Sequence, residues 1–241
     1  MTWNEGPLLG FDVETTGLDP SSDLPVQIAL VRWAPIGTPD RSVFIVDPGR
    51  EIPSSAQAIH GISTRRARRE GCPLGEAAAI VHQALLRAQS EQVPVVAMNA
   101  SFDITIAALL FRTFDLKPLS WTALVDPLVI DRQVDRQRRG NRHLEALCGT
   151  YGVVLGTPHD AGSDAGATVA VARVLATRYP EIASLDIGEL TRRQADWHRS
   201  WAFEHDSWCL ENGRPGLGPD EFGWPLRALP SAAMAGAVLV R

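Results

Sequence analysis

At 241 residues the chain is long enough for one sizeable α/β domain with an appendage and short for two full domains. A hydrophobic share of 45% beside a charged share of 21% excludes wholesale disorder. A net charge of −5 excludes a protein that coats nucleic acid by bulk electrostatics, but not an enzyme whose bound divalent cations reverse the local field. Lys117 is the lone lysine, a compositional bias that gives arginine functional weight only where it clusters. Cys72, Cys148 and Cys209 are odd in number and far apart, matching neither a disulfide framework nor a zinc pattern; they read as thiols of a reducing compartment. With no basic-then-apolar leader and no apolar run near the roughly 20 residues that span a bilayer, the expectation is a soluble, cytoplasmic protein without membrane contact.

In chain order, residues 8–13 form a short apolar run ending in charge, and residues 25–34 and 42–46 are rich in Val and Ile between turn signals. Three strands this close together predict antiparallel hairpins or a meander. Residues 48–69 read as a polar loop. Apolar residues at helical spacing predict a helix over 74–88, followed by a strand at 93–98, a helix at 101–114 and a fifth strand at 122–125. Residues 142–151 and 162–179 read as helices. After Pro180 the character changes: 188–210 predicts one more helix, and 211–241 is Gly/Pro-rich with little periodicity. The expected fold is therefore α/β, a mixed five-stranded sheet flanked by helices, with a domain over 1–180 and a C-terminal helical and irregular extension over 181–241.

Three segments place acids at element boundaries. In the first, Asp12 and Glu14 are two apart on a strand, so both carboxylates project to one face, where they repel unless a cation neutralises them. Oxygen ligands favour a hard ion such as Mg²⁺ or Mn²⁺; the plainer reading is a solvated strand end. In the second, an apolar strand delivers Asn99, and Asp103 falls in the first turn of the next helix, where it equally serves the helix dipole behind a Ser101 cap. In the third, His159 precedes Asp164 by five residues at the start of a long helix. Each alone is compatible with capping and surface polarity.

Taken in order, D-x-E at residues 12–14, N-x-x-F-D at 99–103 and H-x₄-D at 159–164 resemble the DEDDh 3′→5′ exonuclease family. Thr15-Thr16-Gly17-Leu18 and Ile59-His60-Gly61-Ile62 extend the resemblance, as does Asp126 followed by Asn141, Leu144 and Leu147, so that it covers residues 8–179. It implies an RNase H-like sheet, with Asp12, Glu14, Asp103 and Asp164 holding two Mg²⁺ or Mn²⁺ ions and His159 acting as general base. It further implies that Thr15, Thr16, Gly17 and Leu18 grip the terminal nucleotide. His60, Asn99 and Phe102 lie on the substrate side, with structural roles for each as open alternatives.

The implied activity is hydrolysis of phosphodiester bonds from a free 3′ end, releasing nucleoside 5′-monophosphates. Single-stranded DNA is favoured over RNA because the Thr15–Gly17 and Ile59–Gly61 motifs look closer to the epsilon-type branch than to the oligoribonuclease branch. Rival readings are an exoribonuclease on short RNA, a hydrolase of small nucleotides, and a non-catalytic binding or docking subunit of the same fold. The arginines at 65, 66, 68 and 69 and those at 132, 136, 138, 139 and 142 either track a strand or are solvated. Trp197, Trp201 and Trp208 recur at helical spacing, which favours packing of the extension over base stacking.

Overall fold

Strands β1 (Leu8–Thr15), β2 (Pro25–Trp33) and β3 (Asp40–Asp47) form the expected antiparallel meander in a computed structural model that describes residues 2–228. Three two-residue strands follow: β4 (Cys72–Pro73), β5 (Val95–Val96) and β6 (Leu124–Val125). The sheet order is β4-β3-β2-β1-β5-β6, with β4 parallel to β3, and β5 and β6 continuing parallel to β1. The sheet thus has six strands rather than five. The extra one, β4, is too short to carry an alternation signal, and the strands expected at 93–98 and 122–125 shrink to pairs for the same reason.

The expected loop at 48–69 contains two short helices, α1 (Ser54–His60) and α2 (Thr64–Glu70). Each buries a single alanine, Ala56 or Ala67, so no apolar stripe marks them in the sequence. Their limits are set by caps: Gly61 closes α1 at φ 73°, and the Ser63 side chain accepts from the Arg66 amide to open α2.

Alternation along β1 sorts the layers. Leu9, Phe11 and Val13 face the core under α3 (Leu74–Ser90) and α4 (Ala100–Thr113). Leu8 faces the core built by α5 (Pro127–Val134), α6 (Leu144–Tyr151) and α7 (Ala161–Arg178). Phe11 is almost fully buried, and burial of such a side chain contributes about 1.5–3 kcal/mol. Gly10 sits on the α7 side, where an added Cβ would come within 2.7 Å of the Ala165 carbonyl oxygen. A bare glycine is what lets α7 lie directly on β1.

Beyond α8 (Pro180–Ala183), the expected C-terminal helix appears as α9 (Ile187–Glu211). It seals the outer edge of β6. The Leu124 amide donates to Thr191 Oγ1 at 3.0 Å, and Gln194 donates to the Leu124 carbonyl at 2.8 Å while accepting from the Asp126 amide at 2.7 Å. An edge strand's open polar groups are thereby satisfied by helix side chains. Leu190 joins one core and Trp224 the other, so residues from both α9 and the stretch that follows it pack against the sheet's two cores. The Gly/Pro-rich region expected at 211–241 is described to residue 228 and includes a 3₁₀ turn at Pro219–Phe222; the rest of it lies outside the described residues. Cys72, Cys148 and Cys209 are free, and among the described residues no helix is long and apolar enough to cross a membrane.

Candidate active site

Gly10, Asp12 and Glu14 share the face of β1 that α7 covers. The same close approach that Gly10 permits carries the start of α7 to the two acids. That start is fixed twice: Asp160 caps the helix by accepting from Ser163 N at 3.1 Å, and the Ala161 amide donates to Gln27 Oε1 of β2 at 3.1 Å. His159 precedes the cap in a left-handed conformation (φ 59°), rare for a residue with a side chain, and its amide donates to Asp164 Oδ2 at 3.0 Å. The potential ligand atoms of Glu14, His159 and Asp164 all lie within 4.8 Å of one another. A β-bulge between Glu14 and Thr15 ends the regular ladder with β2 beside this cluster.

Asp103 arrives from the opposite layer. Asn99, also left-handed (φ 57°), turns the chain from β5 into α4. Because β5 stops at Val96, the Val13 amide of β1 has no strand partner there; Asp103 Oδ1 accepts it at 3.0 Å. Asp103 is buried and pinned to the backbone between Asp12 and Glu14. The capping role does not fall to Ser101, which lies inside α4. It falls to Asp126, whose two oxygens accept from the amides of Asn99 (3.1 Å), Ala100 (2.9 Å) and Leu128 (3.0 Å) and from Trp224 Nε1 (3.1 Å). One buried carboxylate thus opens both α4 and α5, the first of which carries Asp103.

Burial raises the proton affinity of all four acids, and neighbouring negative charges add to it. Burial pushes the Asp12 carboxyl well up, and Asp103 is the first of the neighbouring charges that push it further, followed by Glu14 and Asp164. Burial likewise lifts Asp103, against the bonds it receives from its own amide and that of Val13. Glu14 is pushed up to about 7 by burial and by Asp164, with His159 opposing, and Asp164 is raised mainly by burial. Among the described residues, Asp164 Oδ1 is buried without a hydrogen-bond partner. A cluster of mostly oxygen donors, crowded enough to protonate itself and holding an orphaned carboxylate oxygen, fits a hard divalent cation.

The residues expected on the substrate side divide. Leu18 is 85% exposed in the bend after β1, and Gly17 lies against Asp23, whose carboxylate would meet an added Cβ at 2.4 Å. The hydroxyls of Thr15 and Thr16 are committed within the chain: Thr15 donates to the Gly17 carbonyl, and Thr16 donates to Asp23 while accepting from Leu24 N and Arg50. His60 ends α1 with Nδ1 accepting from Ile62 N at 3.1 Å. Its pKa is lowered by burial, and Thr15 and His159 are its other influences. Phe102 packs, half-buried, against the core under α4.

The arginine runs are neither uniformly free nor uniformly solvated. Arg138 and Arg142 both bond Asp131, Arg136 pairs with Glu204, and Arg66 and Arg69 pair with Glu70. Asp160, Gln27, Gln194 and Trp224 all position the site; of these only Asp160, an N-cap residue just before a helical pattern, leaves a local signal in the sequence.

Residues 9–172 match the RNase T exonuclease family. The chain belongs to that family. A DNA polymerase III subunit epsilon-like protein of Rhodobacter capsulatus is 31% identical over 180 residues, covering 71% of this chain and 23% of that protein. Among solved structures, E. coli Exonuclease I in complex with a dA16 oligonucleotide is 25% identical with a TM-score of 0.61, covering 80% of this chain and 44% of that one. An Exonuclease I from Methylocaldum szegediense is 23% identical with a TM-score of 0.59, covering 84% and 46%. The chain spans less than half the length of each of these relatives.

Proposed function

We propose that this chain is a divalent-cation-dependent 3′→5′ exonuclease that removes nucleoside 5′-monophosphates from the 3′ end of single-stranded DNA or frayed ends. The observation that carries the reading is the convergence of Glu14, His159 and Asp164 within 4.8 Å, with Asp12 beside them on β1 and Asp103 bonded between. Family membership and the likeness to Exonuclease I, a protein solved with single-stranded oligonucleotides, support it. Asp12, Glu14, Asp103 and Asp164 would hold a pair of Mg²⁺ or Mn²⁺ ions. Bound there, such ions supply charge neutralisation and Lewis acidity toward the scissile phosphate. His159, exposed and held by its own amide to Asp164, would take a proton from the attacking water, a role that would assign the chain to the histidine-type DEDD subgroup. The exposed Leu18 offers an apolar surface to the terminal base. Residues 1–180 carry this apparatus, and the segment from 181 supports it through α9 and Trp224.

A ladder assay on 5′-labelled single-stranded DNA and RNA tests the reading. Stepwise shortening from the 3′ end with Mg²⁺ or Mn²⁺, faster on DNA and absent in EDTA, is the expected result. Internal cuts, or shortening that persists in EDTA, would contradict it; faster shortening of RNA would move the substrate to the exoribonuclease alternative.

A further inference from the structure

A cleft of about 570 Å³ lies beyond the ends of β5 and β6, lined by Asn99 and Ser101 at the start of α4, by Arg132 of α5, and by His198, Trp201 and Arg227 from the C-terminal segment. Its size is that of an ordinary ligand site. Parallel strands collect ligands at their carboxyl ends, and this is the edge that also presents Asp12, Glu14 and Asp103.

Arg132 is the unusual member. Its guanidinium lies 3.3 Å from the centre of the Trp201 ring. It is half-buried, yet among the described residues no carboxylate lies within ion-pair distance of it and it donates no hydrogen bond. Asp126 is the nearest acid in electrostatic effect, but its oxygens already receive four N–H donors. Burial accordingly pushes the Arg132 pKa down to about 10. Of the three arginines that line the cleft, Arg142 is bonded to Asp131 and Arg227 pairs with Glu221, which leaves Arg132 as the lining arginine with no acid partner among the described residues. A desolvated, stacked guanidinium with its donors unspent is suited to a planar or tetrahedral oxyanion.

We infer that this cleft binds a backbone phosphate of the single DNA strand, upstream of the bond cut at the acid cluster, with Arg132 as its cation and Trp201 as the face that holds the guanidinium in place. The inference deepens the exonuclease reading and rests on it for the identity of the strand. It also gives α9 a part in substrate binding, because Trp201 fixes the arginine.

The test is fluorescence anisotropy of a labelled dT12 strand over a range of salt concentrations, with Ca²⁺ present to neutralise the acids, for the wild type, Arg132→Gln and Arg132→Lys. Arg132→Gln is expected to weaken binding about ten-fold. It should also reduce the slope of log Kd against log salt by about 0.7, the share of one phosphate contact on a single strand. Arg132→Lys, which keeps the charge, should retain the wild-type slope. A glutamine variant with wild-type affinity and slope, a lysine variant with the glutamine slope, or a wild type that does not bind dT12 would overturn the assignment. Cleavage of the same strand in Mn²⁺ separates the two claims. Wild-type binding without cleavage contradicts the exonuclease reading alone, whereas wild-type cleavage with unaltered binding by Arg132→Gln contradicts the cleft alone.

Discussion

Asp131 and Asp103 are both aspartates with almost no exposure, 0% and 4%, and their surroundings differ in kind. Asp131 receives Arg138, Arg142 and the Tyr151 hydroxyl, so its charge is answered by cations and donors from the same chain. Asp126 is answered by four N–H groups. Asp103 receives only backbone amides, its own and that of Val13, and it lies with Asp12, Glu14 and Asp164 among like charges that no arginine pairs with among the described residues. The protein thus balances some of its buried acids internally, while one cluster has no internal cation paired with it among the described residues. A fold tolerates an uncompensated cluster of this kind where the balancing charge arrives with function.

Substitutions that remove charge should therefore act in opposite directions on the two sets. The largest effect is expected for Asp12→Asn: turnover lost, while the melting temperature in EDTA rises by a few degrees because one repelling charge is gone. Retained turnover, or a large drop in that melting temperature, would break the comparison. His159→Ala removes no carboxylate and should lower the rate by roughly 10²–10⁴-fold without a matching loss of cation affinity; an unchanged rate between pH 6 and 9 would remove its role as base. Asp131→Asn should cost about 3–5 kcal/mol in chemical denaturation, since it leaves two guanidinium groups underpaired in a buried site. A cost below 1 kcal/mol would mean that the cations find other partners. Gly10→Ala is the mildest in composition and sharpens the geometry. A methyl against the Ala165 carbonyl should push α7 off β1, costing about 1–3 kcal/mol. Cation affinity should fall with it, although no acid has changed. Full cation affinity in that variant would show that the α7 contact does not set the cluster.

Much of this was readable in the sequence because it depends on local periodicity. Asp12 and Glu14 share a face through strand alternation, and Asp103 and Asp164 fall in first turns that the apolar pattern of α4 and α7 marks clearly. The meander and the long helices follow from the same signals. What was hidden depends on contacts between distant segments. Asp126 caps a helix that begins 26 residues before it, and Gln194 bonds a strand 68–70 residues away; neither leaves a pattern in its own neighbourhood. The helices α1 and α2 bury one side chain each, and β4 has two residues, so none presents a stripe or an alternation to read. The arginine run from 132 to 142 looked uniform as composition and is not. Arg138 and Arg142 are drawn inward by Asp131, a residue with no motif around it, while Arg132 turns to a tryptophan 69 positions on.

The central claim is that the acid cluster is held ready for divalent cations, and its protonation makes this measurable. Burial and the charge of Asp164 push Glu14 up to about 7 from an ordinary value of 4.5, and the other three shift in the same direction. A folded-state pKa above the unfolded one contributes stability that is fully present below about 4.5 and is lost as pH rises through about 7. Calorimetric titration of Mn²⁺ into EDTA-stripped protein near pH 7, repeated in buffers of different ionisation enthalpy, reads cation binding and the protons it expels in one experiment. The account predicts saturable binding with net proton release, both abolished by Asp164→Asn. Binding without proton release, or an Asp164→Asn variant that binds Mn²⁺ as the wild type does, would contradict it.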